Sequence, residues 1–343
     1  MDKSVIFAVA GAGKTSHLVN QLDAEKRFLI ITYTEANYEN LRRRVLLQFG
    51  YMPPNIKIYT YFSFLHSFCY KPFLRAEKQT KGITFKLPAP FPRYALADDR
   101  RFISPSRRVY SNRLAKFIEQ SKLMGDVIAR VEKYFDVLFV DEVQDFSGHD
   151  FNFLIAISKA QLRITFVGDF FQHTFDTSLD GNVNSNLHSD YTSYKARFKN
   201  ANLNVDTESL IKSYRCSKSV CDFITDKIGI SIESHDGRET VVSYQDDADE
   251  VTRIFKDTDT VKLFLKEHHK YDCHSHNWGA SKGIDRYQDV CVVLNPANVR
   301  AWQAGDFRNI NAQTRNKLYV ACSRARGSLT FVPESSLKSY KRR

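Results

Sequence analysis

No apolar run in these 343 residues approaches the roughly 18 to 20 that a membrane-spanning helix needs, so no membrane span is expected. The first apolar stretch, Val5 to Val9, is too short for the core of a secretion signal. The six cysteines (69, 216, 221, 273, 291, 322) form no Cys-x-x-Cys pair. This scatter matches no standard zinc framework and predicts reduced thiols in a cytoplasmic protein. Low-complexity tracts and internal repeats are missing too, which argues against long disorder and against a solenoid. Acid is in deficit: 39 Asp and Glu stand against 50 Lys and Arg, a net charge of +11. Such an excess suits a polyanionic partner. With 43% hydrophobic residues, the chain is globular and long enough for two domains.

What is present starts at residue 5. Val5 to Val9 reads as a buried parallel strand, followed by Ala10-Gly11-Ala12-Gly13-Lys14-Thr15-Ser16 and a helical pattern carrying Leu18 and Leu22. Strand, small-residue turn, Lys-Thr and helix make a phosphate-binding loop. Backbone N–H groups close around phosphate oxygens, and the helix N-terminus adds its dipole. Lys14 is expected on the β- and γ-phosphates and the Thr15 hydroxyl on Mg²⁺. A second strand, Phe135 to Val140, runs into Asp141-Glu142-Val143-Gln144-Asp145. Apolar residues followed by paired acids place Asp141 to hold Mg²⁺ through water and Glu142 to orient and deprotonate an attacking water. A nucleotide carrying β- and γ-phosphates, with Mg²⁺, is therefore the expected ligand.

Further strands are expected at residues 28–32, 56–60, 162–167, 289–294 and 328–332, with helices at 35–47, 218–228 and 318–325 and an amphipathic helix from Val251 to His268. Residues 176–209 read as a polar connection. Residues 71–118 differ in composition. They hold five prolines and twelve Lys or Arg against three acids, net +9, with Phe85, Phe91, Tyr94, Phe102 and Tyr110 interleaved. Basic charge among aromatic faces suits single-stranded nucleic acid, and Arg100, Arg101, Arg107 and Arg108 are candidate contacts. His268, His269, Cys273, His274 and His276 cluster without a standard zinc spacing and read as a polar loop, with His274 or His276 against nucleic acid.

The ordered motifs resemble those of the superfamily 1 DNA helicases of the UvrD/Rep/PcrA type. Ala8 to Thr15 is similar to their motif I, Thr32-Tyr33-Thr34 to motif Ia, and Thr60 to Phe64 to the Thr-Phe-His-Ser-Phe element. Asp141 to Asp145 resembles motif II, Gly168 to Gln172 motif III, and Ser213-Tyr214-Arg215 motif IV. Ser281 to Asp285 resembles motif V, and Tyr319 to Ala325 motif VI. The resemblance implies an α/β fold of two RecA-like P-loop NTPase domains, each a mainly parallel sheet flanked by helices. The first would span residues 1–210, with 71–118 as a reduced accessory insert, and the second 211–343. It implies ATP in the cleft between the domains, with Arg215 and Arg324 adding charge at the γ-phosphate, Gln172 sensing it, Tyr214 on adenine and Asp285 at the nucleotide. Tyr33 and Phe175 would stack on bases, and Thr60 and Ser63 would contact phosphates. The implied activity is an ATP-dependent helicase or translocase on single-stranded or partly duplex nucleic acid, with DNA favoured over RNA and 3′→5′ polarity. The alternative is a nucleic-acid-stimulated ATPase that switches a partner. Small helicases of this kind stand beside a nuclease in anti-phage defence, which makes a nuclease an expected partner. The upstream Gln segment of the family is missing, and its motif V histidine is Gly279 here.

Overall fold

The structure, a computed structural model, describes residues 2–174 and 181–342. They fall into two units. The first gathers 2–6, 15–168 and 181–206, and the second gathers 7–14, 169–174 and 207–342.

The first unit is built on a six-stranded sheet. Its strands are β1 (Lys3–Phe7), β2 (Phe28–Thr32), β3 (Ile56–Thr60), β6 (Val137–Val140), β7 (Arg163–Gly168) and β8 (Asn204–Asp206), with β4 (Gly82–Thr84) and β5 (Arg108–Tyr110) outside it. The order is β3-β2-β6-β7-β1-β8. The β2/β3, β2/β6, β6/β7 and β1/β8 ladders are all parallel. Every residue of β2 and β6 is buried, because helices cover both faces of a parallel sheet, and their β-branched and aromatic runs fit that environment. Loops leaving the C-terminal ends of such strands collect ligands. Thr32 ends β2 with Tyr33 after it, Thr60 ends β3 and Asp141 follows β6.

The basic insert has its own scaffold. β4 and β5 pair in parallel, and the helix Ser111–Gln120 follows. Phe102 stacks on Phe117 with ring centroids 4.6 Å apart. A continuous helical run over residues 61–74 leads into it and is π-helical at Phe64–Tyr70. The stretch read as a polar connection contains the helix Tyr191–Asn200 as well as β8. Tyr194 and Phe198 anchor that helix in the core, an apolar spacing hidden among polar neighbours.

The second unit has a pair of short parallel strands, β9 (Lys212–Ser213) and β10 (Glu233–Ser234). Its main sheet holds β11 (Val242–Tyr244), β12 (Val261–Phe264), β13 (Ser275–Asn277), β14 (Val290–Leu294) and β15 (Leu329–Pro333). The main order is β11-β15-β14-β12-β13, parallel throughout. The expected helix from Val251 to His268 is corrected here. The helix covers Ala248–Lys256 alone, and Val261 to Phe264 form a strand. The apolar residues of 261–264 satisfy either period, and pairing on both sides decides for strand. Even Lys262 is buried there. Its ammonium donates to the Asp257 and Thr260 carbonyls, and burial lowers its pKa. Among the described residues, no helix is long and apolar enough to cross a membrane.

Candidate nucleotide and nucleic-acid sites

In the first unit, Thr15 and Asp141 come together. The Thr15 hydroxyl donates to Asp141 Oδ2 at 3.0 Å, and the other carboxylate oxygen accepts from the Glu142 N–H at 3.0 Å. A hydroxyl and a carboxylate in this contact are the oxygen donors that Mg²⁺ prefers, with coordination completed by water and phosphate. Glu142 sits in the left-handed region, φ 59° and ψ 49°, at a cost of about 1–2 kcal/mol for a residue with a Cβ. Gln144 Nε2 donates to its carboxylate. Gly168 lets this loop lie close to β7, since a Cβ there would stand 2.7 Å from Val143 Cγ1.

In the second unit, the phosphate loop packs against motif IV. Gly11 and Gly13 have φ 75° and 80°. A Cβ on Gly11 would meet Ser213 Oγ at 2.6 Å and Arg215 Cβ at 2.9 Å, so only glycine fits. The Tyr214 N–H donates to the Gly11 carbonyl at 3.0 Å. The fully buried Tyr319 hydroxyl accepts from the Ala10 N–H at 2.8 Å and donates to Asp169 Oδ2 at 2.9 Å. Motif VI thus holds the loop's backbone and motif III through one oxygen. Lys14 and Gln172 are both buried, Gln172 in the turn Phe170–Gln172.

Arg215 and Arg324 share one carboxylate. Arg215 pairs with Asp285 and donates to the Ser323 carbonyl at 3.0 Å, while Arg324 lies 3.6 Å from Asp285. Arg324 is 1% exposed. Burial, then the neighbouring Arg215, lowers its pKa to about 10, so it stays cationic at neutral pH. Tyr214 is 62% exposed, and its ring stacks on His235 at 4.0 Å. His235 escapes a motif search because it lies about twenty residues beyond motif IV.

The expected strand contacts Tyr33, Thr60 and Ser63 line one cavity of about 300 Å³ in the first unit. Thr60 Oγ1 donates to Ser63 Oγ at 2.8 Å. Tyr33 stacks on Tyr61 with centroids 5.7 Å apart and meets Phe62 edge-on at 5.5 Å. Its hydroxyl reaches Asp150 at 3.4 Å. Phe175 lies outside the described residues. The insert arginines have local partners. Arg100 pairs with Asp98 at 2.6 Å, and Arg101 reaches the Tyr94 carbonyl at 3.3 Å. Arg107 donates to the Gln79 and Lys78 carbonyls, and Arg108 to that of Ile83 at 3.4 Å. Among the described residues no group of three His, Cys, Asp or Glu could hold a metal. His274 Nδ1 instead contacts the Thr258 carbonyl at 3.2 Å.

The family described as the viral superfamily 1 RNA helicase core domain matches this sequence over residues 120–333, more than half of the chain. The chain belongs to that family. Two solved structures are similar to this chain. One is the complex of Arterivirus nonstructural protein 10 (helicase) with DNA, 17% identical, TM-score 0.49, covering 96% of this chain and 60% of that one. The other is the crystal structure of the same Arterivirus helicase, 16% identical, TM-score 0.50, covering 96% of this chain and 59% of that one. This superfamily 1 chain therefore spans about 60% of the length of those proteins. No curated protein sequence matches it.

Proposed function

We propose that this superfamily 1 helicase core is an ATP-dependent motor on single-stranded or partly duplex nucleic acid. The packing of the phosphate loop against Arg215, which shares Asp285 with Arg324, carries the reading. Thr15 and Asp141 would hold Mg²⁺, which neutralises developing phosphate charge. Lys14 binds the β- and γ-phosphates. Glu142 orients a water and accepts its proton. Asp285 holds both guanidinium groups in place, and a γ-phosphate competes for them with its greater charge. Breaking those ion pairs gives hydrolysis a mechanical consequence. Gln172 completes the γ-phosphate contacts, and Tyr214, backed by His235, offers its open face to adenine.

The UvrD-like motif order supports DNA as the track and 3′→5′ polarity. The family's description as an RNA helicase core makes RNA the competing track. The small insert, built on a two-stranded ladder, favours translocation or the switching of a partner over processive unwinding. The deciding experiment measures ATP turnover with and without single-stranded DNA and RNA at stated salt, together with strand displacement on tailed duplexes. Several-fold stimulation by one polymer is expected. Hydrolysis that neither polymer stimulates would remove the motor reading, and stimulation without displacement would favour the switch.

A further inference from the structure

The cavity holding Tyr33 has two features that a phosphate track does not need. Its walls are aromatic and come partly from the insert: Phe62 after β3 meets Phe85 after β4 edge-on, with centroids 5.5 Å apart. Phe85 is 67% exposed, and Leu87, Phe91 and Leu96 of the same insert are exposed as well. Its lining is also edged with hydrogen-bonding groups. Glu35 lies in the first turn of the helix Glu35–Phe49, which Thr34 caps by accepting from the Asn37 N–H. His66 lines the same cavity, and its Nε2 is buried with no hydrogen-bond partner. A volume of about 300 Å³ lies at the lower end for ligand cavities and has room for one nucleobase.

We infer that this cavity takes one base of the bound strand against Phe62 and Phe85, and that Glu35 selects cytosine and adenine over thymine and uracil. The inference rests on the nucleic-acid motor reading and adds base selection to it. Stacking on aromatic rings tolerates every base and yields only modest preferences, so a tenfold preference between two pyrimidines points to the base edge. An ionised carboxylate only accepts hydrogen bonds. Cytosine and adenine carry an amino donor where thymine and uracil carry a carbonyl oxygen, and an acceptor facing a carbonyl gains nothing and repels it. A group built to pair with an amine therefore rejects the base that lacks one. Phe85 ties the selection to the insert, so the basic segment contributes a pocket wall as well as charge.

The test is fluorescence anisotropy of the full chain with labelled oligo-dC and oligo-dT, and with the C and U ribo-oligomers, at one fixed salt. Tighter binding of the C oligomer by about tenfold is expected, the discrimination of one good base-edge contact. Glu35→Gln should reduce that ratio to within about twofold or invert it, because its amide also donates to a carbonyl. A role confined to the helix N-terminus would change affinity for both oligomers alike and leave the ratio standing. Phe85→Ala, at an exposed position, should keep the melting temperature and weaken binding of every oligomer by about 5- to 100-fold. Strand binding with equal affinity for C and T or U oligomers, or with Phe85→Ala unchanged, overturns this inference and leaves the motor reading intact. Failure to bind any strand overturns both.

Discussion

Glu142 and Tyr319 show how much single side chains carry. Glu142→Gln keeps size and the contact with Gln144 but removes the proposed proton acceptor. ATP turnover should fall by about 100-fold or more while nucleotide binding stays near the parent value. Turnover at the parent rate would exclude Glu142 as the base. Tyr319→Phe removes one oxygen and leaves two buried partners, the Ala10 N–H and the Asp169 carboxylate, without it. Such losses cost about 1–3 kcal/mol. The denaturation midpoint should drop accordingly, and ATP affinity should fall because the loop loses its backbone anchor. Unchanged values for both would mean that the Tyr319 hydroxyl does not hold the loop.

At the scale of elements, the helix Gly148–Ile157 carries a buried acid. Asp150 accepts hydrogen bonds from Tyr61 at 3.0 Å and Tyr33 at 3.4 Å, yet burial raises its pKa to about 7. The unfolded chain ionises this group near pH 4. Between those values the folded state holds the extra proton, so this contribution to stability is full below about pH 4 and declines toward pH 7. Asp150→Asn removes the titration. Compared with the parent, the variant should gain about 2–4 kcal/mol between pH 5 and pH 8, read from urea midpoints. An equal difference at both values would show that Asp150 does not titrate in that range. Contiguous motifs such as Gly-Lys-Thr and Asp-Glu-Val-Gln-Asp were legible because their chemistry depends on neighbours along the chain, and the parallel strands because both faces are apolar. The pairings that join them across space left no local signal: Tyr319 with Asp169, His235 with Tyr214, and Phe85 with Phe62. Residues 261–264 misled because a buried Lys breaks the pattern of a central strand.

For the whole molecule the question is what the net charge of +11 does. The insert supplies +9 of it, but Arg107 and Arg108 are engaged with backbone carbonyls, so removing them would also unpin the β4/β5 ladder. Lys81, Lys86 and Arg93 are exposed. Replacing these three with Ala should lower the log–log salt slope of strand binding by up to about 2, at about 0.7 for each phosphate contact. Basal ATP turnover should hold, since none of the three touches a nucleotide motif. An unaltered slope would mean that the strand does not lie along the insert.

The left-handed backbone at Glu142 also has an evolutionary consequence. Glycine would occupy that conformation freely, so a lineage selected for thermal robustness alone would drift toward it and lose hydrolysis. On the proposed mechanism, the acid at this position gives up backbone ease for a group that can take a proton. A related chain with glycine there is expected to have kept the fold and abandoned the motor.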